Sequence, residues 1–455
     1  MMVLSKRISI ILCAGILLLC AACREAPEVE PLPAGSFWAS TNYTAGNKWY
    51  ALEADLMAFG AYCEVYVAKD QQDRVSPEEA KSIADEFDTN IYGIITGTFG
   101  PASDVDENGK IVIFMLDIRD GYSGKGSESY VAGYFNPEHS LSGPGHPHSN
   151  QADMIYMDTY PGLTSFAYRN NFNITLAHEF QHLVNFNQTY IQGEGKQFDL
   201  WINEGLSSAA EYLYTKGHID KKINYYKTEQ PTGEIHRGVN FVNWTGNYSS
   251  YSTVYLFFQW LRIHAGNDIY KEIFKSPLMN YEAVVTAIRK LSQENQMGKD
   301  WAAILENWFI ANAFCVSTNI NGAKPHIYGY GGEIIGLQSQ WSYDSGFNSS
   351  YLLAPGEGIY VRMAKKTDPL PSGMDTVVYK NIGLTLRSEG ANICLIFNKD
   401  GVASDSGNGA RVSAPLPSVA AYAQGAAPPA GAASKSFIPE FTEALPIDRV
   451  FRLPE

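Results

Sequence analysis

His178, Glu179 and His182 fall in the run Ile174-Thr175-Leu176-Ala177-His178-Glu179-Phe180-Gln181-His182. Two histidines four apart lie one above the other on the same face of an α-helix, so both imidazoles reach a single metal ion. Glu179 is turned about 100° from His178 around the helix axis, which sets its carboxylate beside the ion rather than on it. A carboxylate in that place suits a general base that takes a proton from a metal-activated water, the chemistry of a zinc peptidase.

A catalytic zinc ion needs a third protein ligand and an open fourth position. The candidate is Glu204, 22 residues after His182, in Trp201-Ile202-Asn203-Glu204-Gly205-Leu206-Ser207-Ser208-Ala209-Ala210-Glu211-Tyr212-Leu213. On a helix Glu204, Ser207, Ser208 and Glu211 share one face, while Ile202, Leu206, Ala209 and Leu213 pack inward. Glu211 lies too far along to share the ion with Glu204. It reads as a carboxylate bonded to a ligand imidazole or as a surface group, and Glu194 and Glu211 are the fallbacks for the third ligand. The chain after His182 is Leu183-Val184-Asn185-Phe186-Asn187, without the glycine and third histidine that a metzincin needs. Attack on a carbonyl also requires a donor to the developing oxyanion. The segment Tyr248-Ser249-Ser250-Tyr251-Ser252-Thr253-Val254-Tyr255 opens a strongly apolar run and offers three tyrosines, with His236 a further candidate.

Around these residues the pattern is α+β. Strands are expected at 62–68, 110–117 and 152–158, with an amphipathic helix over 76–96 begun by Ser76-Pro77-Glu78-Glu79. The strand at 152–158 is expected to be an edge that pairs with an extended substrate. Residues 121–150, rich in Gly, Ser and Pro, read as a long surface loop. Helical runs follow at 173–190, 199–215, 251–264, 267–275, 281–293 and 299–313. Strand candidates return at 358–363, 376–379 and 391–397. Residues 401–436 are dominated by Ala, Gly, Ser and Pro and read as a flexible linker, after which 437–455 regains apolar character and is able to dock on the body.

The stretches Leu176 to Asn187 and Leu200-Trp201-Ile202-Asn203-Glu204-Gly205-Leu206-Ser207 resemble the hyicolysin family of bacterial neutral metallopeptidases, over about residues 60 to 360. The His/His/Glu donor order is that of the glutamate-type zinc peptidases, the gluzincins. The resemblance implies a thermolysin-like α+β fold of two subdomains, with a mixed-sheet N-terminal lobe and a helical C-terminal lobe, followed here by a small β-rich domain. It also implies one zinc ion held by His178, His182 and Glu204, with Glu179 as base, and endopeptidase action on proteins or peptides. Tyr251 is similar in placement to the tyrosine that begins the corresponding helix in related aminopeptidases, and is the chosen oxyanion donor ahead of Tyr248 and His236. No Gly-x-Met-Glu-Asn segment, which in those aminopeptidases grips a free amine, precedes His178.

The expected organisation is a leader over 1–22, a tether over 23–45, an N-terminal lobe over 46–170 and a catalytic lobe over 171–325. A β-rich domain over 326–400 and a linker and tail over 401–455 complete it. In the leader Lys6-Arg7 precede an apolar core, Ile8 to Leu19, and Leu19-Cys20-Ala21-Ala22-Cys23 resembles a lipobox with Cys20 where Leu is usual. Acylation of Cys23 would anchor the protein to a lipid bilayer, and Arg24, not Asp, after it favours the outer membrane or cell surface. The formal charge of −14 becomes −16 once Lys6 and Arg7 leave with the leader, a poor match for nucleic acid. A monomer is expected. Cys63, Cys315 and Cys394 lie in apolar runs without a C-x-x-C pair and read as buried thiols. Asp104-Val105-Asp106-Glu107-Asn108-Gly109 mimics half of a calcium loop, but Met115 stands where its last ligand belongs, so a polar turn is preferred over a weak calcium site. A rival reading is a surface-binding lipoprotein, an adhesin or scavenger, on a peptidase-like fold.

Overall fold

The computed structural model describes residues 32–40, 49–124, 130–165, 169–193, 195–229, 233–317, 319–320, 324–337, 355–363, 377–383, 392–398, 418–422 and 449–451. The leader and Cys23 lie outside these residues, as does Glu194. Six strands come first: β1 (Ser36–Ser40), β2 (Trp49–Phe59), β3 (Cys63–Ala68), β4 (Ile111–Leu116), β5 (Tyr130–Phe135) and β6 (Met154–Asp158). Between β3 and β4 run α1 (Pro77–Glu86) and α2 (Tyr92–Phe99), joined by a π-helical turn over Phe87–Ile91. The Ser76 side chain caps α1 by accepting from the Glu79 N–H at 3.2 Å, with Pro77 in the first turn where its missing N–H costs nothing.

The helical part comprises α3 (Phe172–Phe186), α4 (Leu200–Thr215), α5 (Asp220–Thr228), α6 (Tyr248–Ala265), α7 (Asp268–Phe274), α8 (Tyr281–Lys290), α9 (Glu294–Met297) and α10 (Trp301–Phe314). Later come a short hairpin, β7 (Asn319–Ile320) with β8 (Lys324–Pro325), and the strands β9 (Gly358–Met363), β10 (Val377–Gly383), β11 (Asn392–Asn398), β12 (Ser418–Tyr422) and β13 (Arg449–Phe451). β13, β10, β11 and β9 form one sheet, and β12 joins the N-terminal sheet instead.

That N-terminal sheet has the order β1-β2-β3-β4-β6-β5-β12. β4 lies parallel to both β3 and β6 and is buried along its whole length, hence its unbroken apolar sequence. Its side chains still alternate. Ile111, Ile113 and Met115 join the main core under the helices, while Val112, Phe114 and Leu116 pack on the opposite face with Tyr134, Met154 and Tyr156. Cys63 and Cys315 are free and buried.

Four expectations change. β6 is no edge, because it pairs with β4 on one side and β5 on the other. The presumed loop over 121–150 contains β5, and the presumed tether over 23–45 contains β1, paired antiparallel with β2. Within the presumed linker, Ser418–Tyr422 forms β12 and pairs with β5.

Candidate active site

α3 is buried on nearly every side; of its residues after Ile174 none is exposed. Such a helix needs close neighbours on all sides, and two glycines provide them. On β5, a Cβ at Gly133 would stand 3.0 Å from Thr175 Cγ2, from Met157 Sδ and from the Tyr156 carbonyl oxygen, so the glycine lets α3 lie closer to the strand than a side chain would allow without shifting these neighbours. On α4, the Phe258 ring of α6 fills the space where a Gly205 Cβ would be. The glycine next to Glu204 is thus a packing device that seats α4, and Glu204 with it, between α3 and α6.

Three donor atoms then converge. The Nε2 atoms of His178 and His182 are 3.1 Å apart, and Glu204 Oε2 lies 3.4 Å from the first and 3.6 Å from the second. Ligands at about 2.0–2.1 Å from a tetrahedral zinc stand about 3.3 Å from one another, so this triangle has the size of one face of a zinc tetrahedron. Glu204 Oε2 is buried without a hydrogen-bond partner among the described residues, an arrangement that a cation completes. The donor set and the orphaned oxygen fit zinc.

Each imidazole is held from behind. His178 Nδ1 donates to Glu211 Oε1 at 2.7 Å, which leaves the Nε2 lone pair facing the other donors. Glu211 is gripped in turn by the Lys222 ammonium at 2.8 and 2.7 Å, and Lys222 also reaches Ser208 Oγ at 3.1 Å. Lys222 is 3% exposed and Glu211 2%, so this is a buried ion pair carried by α5 and α4. His182 Nδ1 faces Ser207 Oγ at 3.0 Å and Asn203 Oδ1 at 3.1 Å, and the Ser207 hydroxyl donates a hydrogen bond to Gln181 Oε1.

The charges follow from these contacts. Burial would raise the Glu204 carboxyl, but the two imidazoles outweigh it and hold it at about 2. Burial opposes charge on His178, yet the Glu204 and Glu211 carboxylates push it up to about 10, so a metal ion would take the Nε2 lone pair in exchange for a proton. Glu211 is held low, against its burial, by Lys222 and His178.

Glu179 is fully buried, and its Oε2 accepts the backbone N–H of Phe135 at 3.0 Å, which ties the carboxylate to the end of β5. Tyr251 is buried near the start of α6, its ring 6.0 Å from the Lys222 ammonium and edge-on to Trp244 at 4.8 Å. Tyr248 packs on Tyr225, and burial first, then the Glu211 charge, pushes its hydroxyl well above the usual tyrosine range. His236 is held by Glu229, its Nδ1 3.4 Å from Oε2. Asp104 and Asp106 come near Asp153, but the loop is closed on itself. Gly109 N–H binds Asp104, Lys110 N–H binds Asn108, and Asp153 accepts from Ser103 and from the Val105 N–H.

Lys222, Asn203 and the Phe135 N–H were not singled out from sequence. Asn203 and Ser207 lie four apart on α4, a spacing visible in advance. Nothing local marks Lys222, which sits in a polar run, or a backbone donor.

No protein-family model matches this chain. It is similar to a neutral metalloprotease, ShpI, of Staphylococcus hyicus, with 36% identity over 248 residues, covering 52% of this chain and 54% of that protein. The chain thus spans about half the length of this relative. The mixed sheet with its helical partner is the α+β arrangement of a thermolysin-like peptidase. That identity, together with His178 and His182 of an H-E-x-x-H motif meeting Glu204, supports a neutral zinc metalloprotease family for this protein.

Proposed function

We propose that this protein is a zinc-dependent endopeptidase, exported and anchored to the outer membrane or cell surface through acylated Cys23, that acts as a monomer on proteins or peptides. The observation that carries the catalytic part is the convergence of His178, His182 and Glu204, with the Glu179 carboxylate fixed beside them by the Phe135 N–H. When bound, the ion supplies Lewis-acid polarisation of the scissile carbonyl and lowers the pKa of water.

The chain's own groups do the rest. Glu179 takes the proton of the attacking water and passes it to the leaving amine. The Phe135 N–H keeps one oxygen of that carboxylate in place, so the base approaches from a fixed direction. Glu211 and Lys222 fix the ring of His178, and Ser207 and Asn203 fix that of His182. Tyr251, at the start of α6, is the proposed donor to the oxyanion. With β6 enclosed, β5, whose outer side carries β12, is the strand along which an extended substrate would pair once β12 gives way. The lipobox-like Leu19-Cys20-Ala21-Ala22-Cys23 supports the anchor.

The test compares casein digestion with and without a chelator in the wild type and in Glu179→Gln and Glu204→Ala. Glu179→Gln should keep its zinc and lose proteolysis; retained proteolysis rejects the assignment. Glu204→Ala should lose zinc, and an unchanged metal content moves the third ligand elsewhere. Globomycin-sensitive labelling of the chain by a fatty-acid probe, abolished in Cys23→Ala, tests the anchor.

A further inference from the structure

β5 carries the backbone N–H that holds Glu179, and it is paired twice over. With its own neighbour β6 it matches only Gly133 with Met157 and Tyr134 with Tyr156. With β12 it pairs antiparallel along its full length: Ser418 opposite Phe135, Val419 opposite Tyr134, Ala420 opposite Gly133, Ala421 opposite Val131 and Tyr422 opposite Tyr130, with a bulge between Ala420 and Ala421. α3 also lies against β12. Strand spacing places the Ser418 Cα no more than about 10 Å from the Glu179 carboxylate.

An extended, uncharged stretch, lying antiparallel on the strand that holds Glu179 and against the helix that carries His178 and His182, is what a peptide substrate presents. Ser418-Val419-Ala420-Ala421-Tyr422 has that character, and no acidic or basic residue occurs from Val412 to Ser434. We propose that Ser418–Tyr422 is an intramolecular substrate mimic that occupies the substrate strand beside the zinc ligands and holds the enzyme in a self-inhibited state. The proposal rests on the peptidase reading above, with β5 as the substrate strand. Tethering gives the segment a local concentration in the millimolar range, so a peptide substrate must compete with it. The segment binds competitively, raising the apparent KM and leaving kcat unchanged.

Two kinds of measurement test this on the full-length chain. The first is hydrolysis of an internally quenched peptide by the wild type and by Val419→Pro and Ala421→Pro, each of which removes a strand N–H and bends the segment away. The expected result is a rise of about tenfold in kcat/KM through KM, since displacing a millimolar tethered competitor of ~0.1 mM affinity gives that factor. A synthetic 416–424 peptide should then inhibit the proline variants competitively. Equal kcat/KM in cleaving wild type and cleaving variants overturns the proposal.

The second measurement needs no catalysis. A fluorescein-labelled 416–424 peptide is titrated against zinc-loaded Glu179→Gln, with and without Val419→Pro. Binding only where the tail strand is broken supports the mimic, while equal binding to both forms, or binding to neither, overturns it. Should no form cleave any peptide while this titration discriminates, the peptidase reading fails and the pairing of tail and β5 stands. Unchanged thermal melting of the proline variants shows that the body of the fold is intact.

Discussion

The buried chain His178–Glu211–Lys222 makes a quantitative prediction. In Lys222→Met the Glu211 carboxylate keeps only the His178 N–H at 2.7 Å and loses both contacts to the ammonium, at 2.8 and 2.7 Å, in a site 2–3% exposed. Removing one partner of a buried ion pair costs about 3–5 kcal/mol, because the other charge is left without compensation. Glu211→Gln strands the ammonium in the same way and also removes the negative charge behind the imidazole. Losses of such supporting groups weaken metal binding about 10- to 100-fold, or about 1.4–2.7 kcal/mol. In Lys222→Met with Glu211→Gln no buried charge remains unpaired, and the Gln carbonyl still accepts the His178 N–H.

The double variant should therefore be destabilised by much less than the sum of the singles, with a coupling of about 2 kcal/mol or more. Urea unfolding of the zinc-free proteins measures the coupling, and competition against a chromophoric chelator measures zinc affinity. A coupling below about 0.5 kcal/mol would show that the pair is not a unit. Unchanged zinc affinity in Glu211→Gln would show that it does not support the ligand.

Three further outcomes are expected. Burial holds His139 neutral, down to about 3, with His148 adding to the effect, while an unfolded histidine titrates near 6.5. Between those values the unfolded state binds the extra proton, so stability is full above about pH 6.5 and falls as pH drops. The wild type should lose about 2 kcal/mol more than His139→Gln between pH 7 and pH 5, and equal losses in urea titrations would reject the argument. Gly205→Ala drives a methyl group into the Phe258 ring and should cost about 1–3 kcal/mol with weakened zinc binding, read by thermal melting and metal analysis. Stripping the metal with a chelator should lower the melting temperature, and zinc at a thousand times its dissociation constant should restore about 4 kcal/mol; His178→Ala should show no such response.

The two helices that bring His178, His182 and Glu204 together were legible because these residues sit in fixed spacings. His178 and His182 are one helical turn apart, and Glu204 opens a helix whose inward face is plain. Glu211 was legible as a partner for an imidazole because it lies two turns along the Glu204 face. Lys222 was not, because α5 is short and polar, and the only mark of its role is the buried carboxylate it meets across space. β5 was hidden because Gly133, which α3 requires, dilutes the strand pattern inside a stretch rich in Gly, Ser and Pro. Strand order was hidden for a different reason. Met154–Asp158 reads as a strand in any position, and only long-range pairing decides that it has neighbours on both sides.

The all-round burial of α3 bears on when the centre first exists. In the order of synthesis the last of the three converging residues, Glu204, precedes Lys222 by eighteen residues and Phe258 by more than fifty. A chain emerging N-terminus first thus has all three donors in hand before it has the groups that seat α4 and steady His178. Until α6 has followed and packed, α4 is not seated on its far side, and Glu204 has no fixed place in the triangle. Assembly of the centre is in this way timed by chain length: the donor triangle waits for groups that are synthesised after it.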